Sequence, residues 1–222
     1  MKSFEYENKP LNLKDWAYDT IKQLILTFNV EPGEQLHIED LSKKMNVSRT
    51  PIREALLKLE SEDLVEANAR VGFFVKRITK KDLRELFEIR EITESFAARK
   101  AAQLIKDTDL AWINKLQKEA VTAVKAGNLN EFNEKEIALH AFIIEKSQNQ
   151  RLLKLVESIK DLTYRQRILA LKSMDNVKKS LTEHQEIITA LQNRNSKLAG
   201  KSMSNHISAV KNRMLDILDM PE

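Results

Sequence analysis

Apolar residues return at helical spacing through most of this chain, and one short stretch switches to the pattern of strands. Leu13, Ala17, Ile21, Leu24, Ile25 and Phe28 form a first stripe, ended by Asn29-Val30-Glu31-Pro32-Gly33. Leu41 to Met45 is a short amphipathic turn of helix, and Asn46-Val47 interrupts it. The next helix starts at Ser48 or Thr50, both good N-cap types. Pro51 falls in its first turn, where a missing N–H loses no partner. Ile52, Ala55, Leu56 and Leu59 give this helix one buried face. Leu64-Val65-Glu66-Ala67 and Phe73-Phe74-Val75 then read as a hairpin, turning through Asn68 to Gly72.

After Ile78 only helices follow: Thr79 to about 105, then about 108–126 (closed by Gly127), 130–147, 150–172, 180–193 and 196–218. Thr79 with Asp82 nearly matches a capping box, and Ser180-Leu-Thr-Glu183 matches it. No repeat period is visible, which argues for a bundle and against a solenoid. The expected fold is mainly α: an N-terminal winged helix-turn-helix over 10–78, then an antiparallel helical-bundle effector domain over 79–222.

Composition narrows the class. The 222 residues suffice for two modest domains. They contain no cysteine, no apolar run of membrane-spanning length and no signal-peptide core at the N-terminus, so a cytoplasmic, membrane-free protein is expected. The net charge of +4 does not mark out a DNA-binding half. Residues 1–78 carry 12 basic against 13 acidic side chains, and the remainder 25 against 20. Local charge is more telling. Lys43 to Lys58 holds five basic residues and one acid, and Asn68 to Lys81 holds five basic residues and none. Both clusters fall where phosphate contacts would be needed, although charge runs are also ordinary solvated faces.

Arg49 and Arg53 lie four apart on the polar face of the Ser48 helix, with Thr50 beside them. A helix-turn-helix offers such residues to base edges in the major groove. An ordinary surface helix with two solvated arginines fits the spacing equally well until the following β-hairpin is counted. The run VSRTPIREALLKLESEDLVEANARVGFFV resembles the winged helix of the GntR family of bacterial transcription regulators. The resemblance implies DNA contacts from Arg49, Thr50 and Arg53, with Gly72 at the wing tip near the minor groove; Lys43, Ser48 and Arg70 complete the expected DNA-binding set. The chain departs from the pattern at Glu39, where some members carry a DNA-contacting Arg.

In the second half, His184 lies in line with Ile187, Ile188 and Leu191, and His206 with Met203, Ile207, Val210 and Met214. Glu136 and His140 are stacked one turn apart, followed by Ile143. A lone inward histidine is most often a hydrogen-bonded core residue. Three with a carboxylate would cost several kcal/mol if unpaired, and a divalent ion would satisfy them together. Such donors suit zinc, nickel, iron or manganese. Arg90 lies on the stripe Leu83, Phe87, Glu94, Ala97, Ala101. It reads either as an intrahelical partner of Glu94 or as a fork for an organic carboxylate.

EFNEKEIALHAFIIEKSQNQRLL, LTEHQEIITAL and MSNHISAV are similar to the FCD effector domain of the FadR subgroup of GntR regulators, in its six-helix variant. The resemblance implies a metal held by His140, His184 and His206, with Glu136 where that subgroup has Asp, and zinc or nickel ahead of iron or manganese. It implies a homodimeric regulator, repressing by default, that binds an operator in double-stranded DNA and answers to a small carboxylate at the metal and Arg90. Two other readings are a metal-dependent hydrolase using the same four ligands and an architectural DNA-binding protein without effector.

Overall fold

A computed structural model describes residues 12–219, which divide into two compact units at Ile78/Thr79. Residues 10–11 and 220–222 of the expected domains lie outside the described residues.

In the first unit, Asn12 caps α1 (Leu13–Leu26) by accepting from the backbone N–H groups of Lys14 and Asp15. β1 (Gln35–Leu36), α2 (Ile38–Met45), α3 (Arg49–Ser61), β2 (Val65–Asn68) and β3 (Gly72–Val75) follow. α1 packs on α3, and Ile21, Ile25, Met45, Ile52, Leu56, Leu59 and Leu64 are buried completely. Between α2 and α3 the chain turns at Asn46, held in the left-handed region at φ 49°. Asn tolerates that region better than most L-residues, which is why the helix breaks there.

The strands form an antiparallel sheet ordered β1-β3-β2. The sequence pattern did not reveal β1, because two residues are too few to show alternation. Asn68 pairs with Gly72, so the turn residues are 69–71 with Arg70 at φ 67°. Gly72 is therefore not the tip of the hairpin but the first residue of β3. Its φ of 134° and a Gln35 side chain 3.1 Å from where a Cβ would sit account for the glycine.

The second unit contains seven helices among the described residues rather than six. They are α4 (Lys80–Leu104), α5 (Asp107–Lys125), α6 (Leu129–Lys146), α7 (Gln150–Ser158), α8 (Lys160–Ala170), α9 (Met174–Gln192) and α10 (Ser196–Asp219). The single helix expected over 150–172 is split at Ile159, whose backbone leaves the helical region at φ −111° and ψ 5°. Just before it, the Ser158 hydroxyl donates to the Leu155 carbonyl, a local bond that competes with the helical ladder. α9 starts six residues before the expected 180, with Ser173 as its cap. Ser180-Leu-Thr-Glu183 is therefore mid-helix and does not act as a capping box. The Thr79 and Asp82 side chains do form a reciprocal capping box at the start of α4.

α4 and α10 pack along each other, α9 joins both, and α5 and α6 complete the bundle. Phe87, Ala97, Ile143, Ile187, Leu191, Met203, Ile207 and Met214 are fully buried between them. No helix among the described residues is long and apolar enough to cross a membrane.

Candidate functional site

α4, α6, α9 and α10 converge on one buried cluster. α6 contributes Glu136 and His140, α9 His184, and α10 His206; the three histidines are almost fully buried. One ligand atom from each of the four lies within 4.8 Å of the others, and the Nε2 atoms of His140 and His184 are 3.3 Å apart. Two nitrogens bound tetrahedrally to one zinc at roughly 2.0–2.1 Å would be separated by about that distance.

The histidines are oriented from behind. Nδ1 of His140 bonds a carboxylate oxygen of Glu94, and Nδ1 of His206 is 2.7 Å from Oε2 of Glu183. Each bond leaves Nε2 facing the cluster, and Nε2 of His206 is buried with no hydrogen-bond partner. Carboxylates behind imidazoles in this way fix the tautomer of metal-binding histidines. The carboxylates are anchored in turn: Glu94 accepts from Nε of Arg90 at 2.7 Å, and Glu183 accepts both arms of Arg213 at 2.6 and 2.9 Å.

Protonation suits the same chemistry. Burial drives His140 down to about 4, against the pull of Glu94, and lowers His184 well below its usual range. Neutral imidazoles keep a lone pair for a cation. Burial alone would raise Glu94, but Arg90 and then His140 hold it well below the carboxylate range. Glu183 is likewise brought to about 2, with Arg213 and His206 overcoming its burial. The donor set, the spacing and the unpartnered His206 nitrogen fit a divalent ion.

Beside the cluster is a small cavity. Its wall includes Arg90, Glu136, Gln166, Arg167, His206 and Arg213. Arg90 is only 3% exposed, forms the intrahelical pair with Glu94 and lies on the cavity wall.

The sequence pattern points to the four candidate ligands but does not single out Glu183, Arg213, Arg167 or the role of Glu94 behind His140. Arg213 lies seven residues after His206 on the same helical stripe, a signal that was available. Arg167 lay within a helix read as continuous.

In the first unit, Lys43, Ser48, Arg49, Thr50, Arg53 and Arg70 are all exposed, and Gly72 is half-buried. An open groove of about 580 Å³ between α3 and the hairpin is lined by Glu39, Arg53, Arg70 and Gly72, among others. Glu39 is 3.4 Å from Nη1 of Arg49.

A helix-turn-helix with a β-hairpin wing, joined to a helical bundle with a buried polar site, defines a two-part regulator. The comparisons agree. Residues 13–75 match the bacterial regulatory proteins of the gntR family, and residues 85–209 match the FCD domain. The chain is 29% identical over 195 residues to the uncharacterized HTH-type transcriptional regulator YdhC of Bacillus subtilis (strain 168), covering 86% of each. It is 24% identical over 209 residues to the HTH-type transcriptional repressor RspR of Escherichia coli (strain K12), covering 94% of this chain and 91% of that one. In fold it resembles a GntR regulator from Rhodococcus sp. RHA1, with a TM-score of 0.76 at 20% identity over 91% of this chain and 97% of that one. The metal-free FCD domain of TM0439 covers 64% of this chain and 97% of its own, with a TM-score of 0.54 at 22% identity.

The chain belongs to the GntR family of bacterial regulators and carries an FCD domain as its second half. It is a DNA-binding transcription regulator with a ligand-binding effector domain, and the hydrolase reading of the four ligands is set aside.

Proposed function

We propose that this chain is a repressor of the FadR subgroup, released from DNA by a small carboxylate bound beside a divalent cation in the bundle. The observation that carries the reading is the buried meeting of Glu136, His140, His184 and His206, with Nε2 of His206 unpartnered. A cation held there, zinc or nickel before iron or manganese, would supply positive charge and open positions for a carboxylate. Glu94 and Glu183 orient His140 and His206, and Arg90 on the cavity wall offers N–H groups to the same anion.

At the DNA end, α3 would enter the major groove with Ser48, Arg49, Thr50 and Arg53 leading. Lys43 would sit on a phosphate, and Arg70 and Gly72 near the minor groove. Two copies of the chain joined through their bundles would match a pseudo-palindromic operator in the bacterial cytoplasm. The carboxylate loosens DNA only if it binds the DNA-free arrangement more tightly. The name of RspR, a repressor, supports the sign.

The test is metal content on full-length protein purified without chelator, alongside His184→Ala and a selection of duplexes from a random pool. About one equivalent of metal, lost in the variant, and one recovered palindromic motif are expected. No metal after reconstitution removes the cation from this reading, and no recovered motif removes the operator.

A further inference from the structure

The cavity beside the cluster contains a charge that the proposed function leaves unused. Arg90 is matched by Glu94 and Arg213 by Glu183, each through hydrogen bonds. Arg167 has no such partner. It is 8% exposed, its Nε and Nη1 make no hydrogen bond, and the nearest carboxylate, Oε1 of Glu136, is 3.7 Å away. That carboxylate belongs to the candidate metal ligands. On the same wall, Oε1 of Gln166 is also buried without a partner.

Burial lowers Arg167, and its positive charge is felt at His140, His184 and Glu94, so it stands within electrostatic reach of these buried groups. A buried guanidinium whose Nε and Nη1 make no hydrogen bond is costly even with Glu136 3.7 Å away, and a protein keeping one for stability alone would give it hydrogen bonds. The charges around the cavity cancel in pairs: Arg90 with Glu94, Arg213 with Glu183, Arg167 with Glu136. A divalent cation would then add two positive charges to those balanced pairs.

We infer that Arg167 is an anion anchor and that the effector is a dianion, with one acidic group at the cation and a second on the Arg167 fork. This rests on the proposed metal-and-carboxylate reading and adds the charge of the ligand and a residue for its second end. α8 gives the inference a structural consequence. Its buried residues are Arg165, Gln166 and Arg167, with no apolar one among them. An anion bridging Arg167 to the cluster would therefore tie α8 to it.

The test uses the full chain loaded with zinc. Matched acids are compared by thermal melting and titration: succinate against butyrate, glutarate against valerate, with inorganic phosphate as a third dianion. A charge-assisted contact to Arg167 predicts at least about tenfold tighter binding of the dianion in at least one matched pair. Arg167→Met should erase that preference and, without any acid, melt at or above the wild type, because a buried cation whose Nε and Nη1 make no hydrogen bond has been removed. Arg167→Lys should keep part of the preference. Equal binding within both pairs, a preference that survives Arg167→Met, or an acid-free melting point well below wild type for that variant would overturn the inference. Zinc content on the same samples separates the two readings. Zinc present without a dianion preference removes Arg167 alone, and a preference without zinc removes the cation and keeps Arg167.

Discussion

Oε2 of Glu183 stands 2.7 Å from Nδ1 of His206, on the far side of the ring from the cluster. Glu183 thus sets the orientation of a candidate ligand without being one. Glu183→Gln should lower zinc affinity about 10–100-fold while the helical fold is kept. Competition with a chelator reads the affinity, and circular dichroism reads the fold. An unchanged affinity would show that His206 is held by its packing alone.

Glu94 serves both Arg90 and His140, and all three are buried. Glu94→Ala leaves Arg90 charged and unmatched, so it should destabilise the second unit by about 3–5 kcal/mol. Urea unfolding measures this, and a loss under 1 kcal/mol would mean that water replaces the carboxylate. Glu183→Ala should cost less, because Glu183 and Arg213 are only partly buried.

Arg53 and Lys43 should divide the work on DNA. Arg53→Ala is expected to cost about 1–3 kcal/mol on the selected motif and to relax one base position. Lys43→Ala should weaken every duplex similarly and flatten the salt slope. Fluorescence anisotropy on cognate and scrambled duplexes distinguishes the two, and the reverse pattern would exchange their roles.

Glu39 places a negative charge beside Arg49, on a groove whose lining includes the cations Arg53 and Arg70. With side-chain exposures of 54% and 72%, the pair contributes little to stability. Glu39→Gln should therefore leave the melting temperature nearly unchanged and tighten binding to all duplexes by freeing Arg49. Weaker binding instead would show that Glu39 contacts a base.

Glu62 accepts from the Tyr18 hydroxyl at 2.7 Å and from Lys22 at 2.9 Å. Burial alone would raise its carboxyl, but the bonds from Lys22 and Tyr18 bring it below the usual carboxylate value. The stabilisation is therefore present above the unfolded value and lost as pH falls through the lower folded value. Melting temperatures of wild type and Glu62→Gln should differ near neutrality and converge in acid. A constant difference would mean that the Glu62 bonds act independently of its charge.

How far the sequence could be read depended on the kind of signal. His140, His184 and His206 each lie on an apolar stripe of their own helix, so periodicity alone turned them inward. Their carboxylate supports were not legible, because periodicity reports the face a residue takes and not which face of another helix it meets. Glu94 was seen only as a neighbour of Arg90. The split at Ile159 was invisible because residues 150–172 contain neither Gly nor Pro. β1 and the start of α9 escaped for a different reason: both depend on partners distant in sequence or on a cap, Ser173, without the second half of a box. The helix-turn-helix was legible because Asn46, Ser48 and Pro51 mark its turn chemically.

Glu183 and His184 are successive residues of α9, yet one serves the cluster through His206 and the other directly. Successive positions on a helix point about 100° apart, so both roles depend on one rotational setting of α9. Inserting a single residue ahead of them would turn both side chains away at once, costing one candidate ligand and the support of another. Single substitutions can weaken the cluster by degrees, but a change of length in this helix dismantles it in one step.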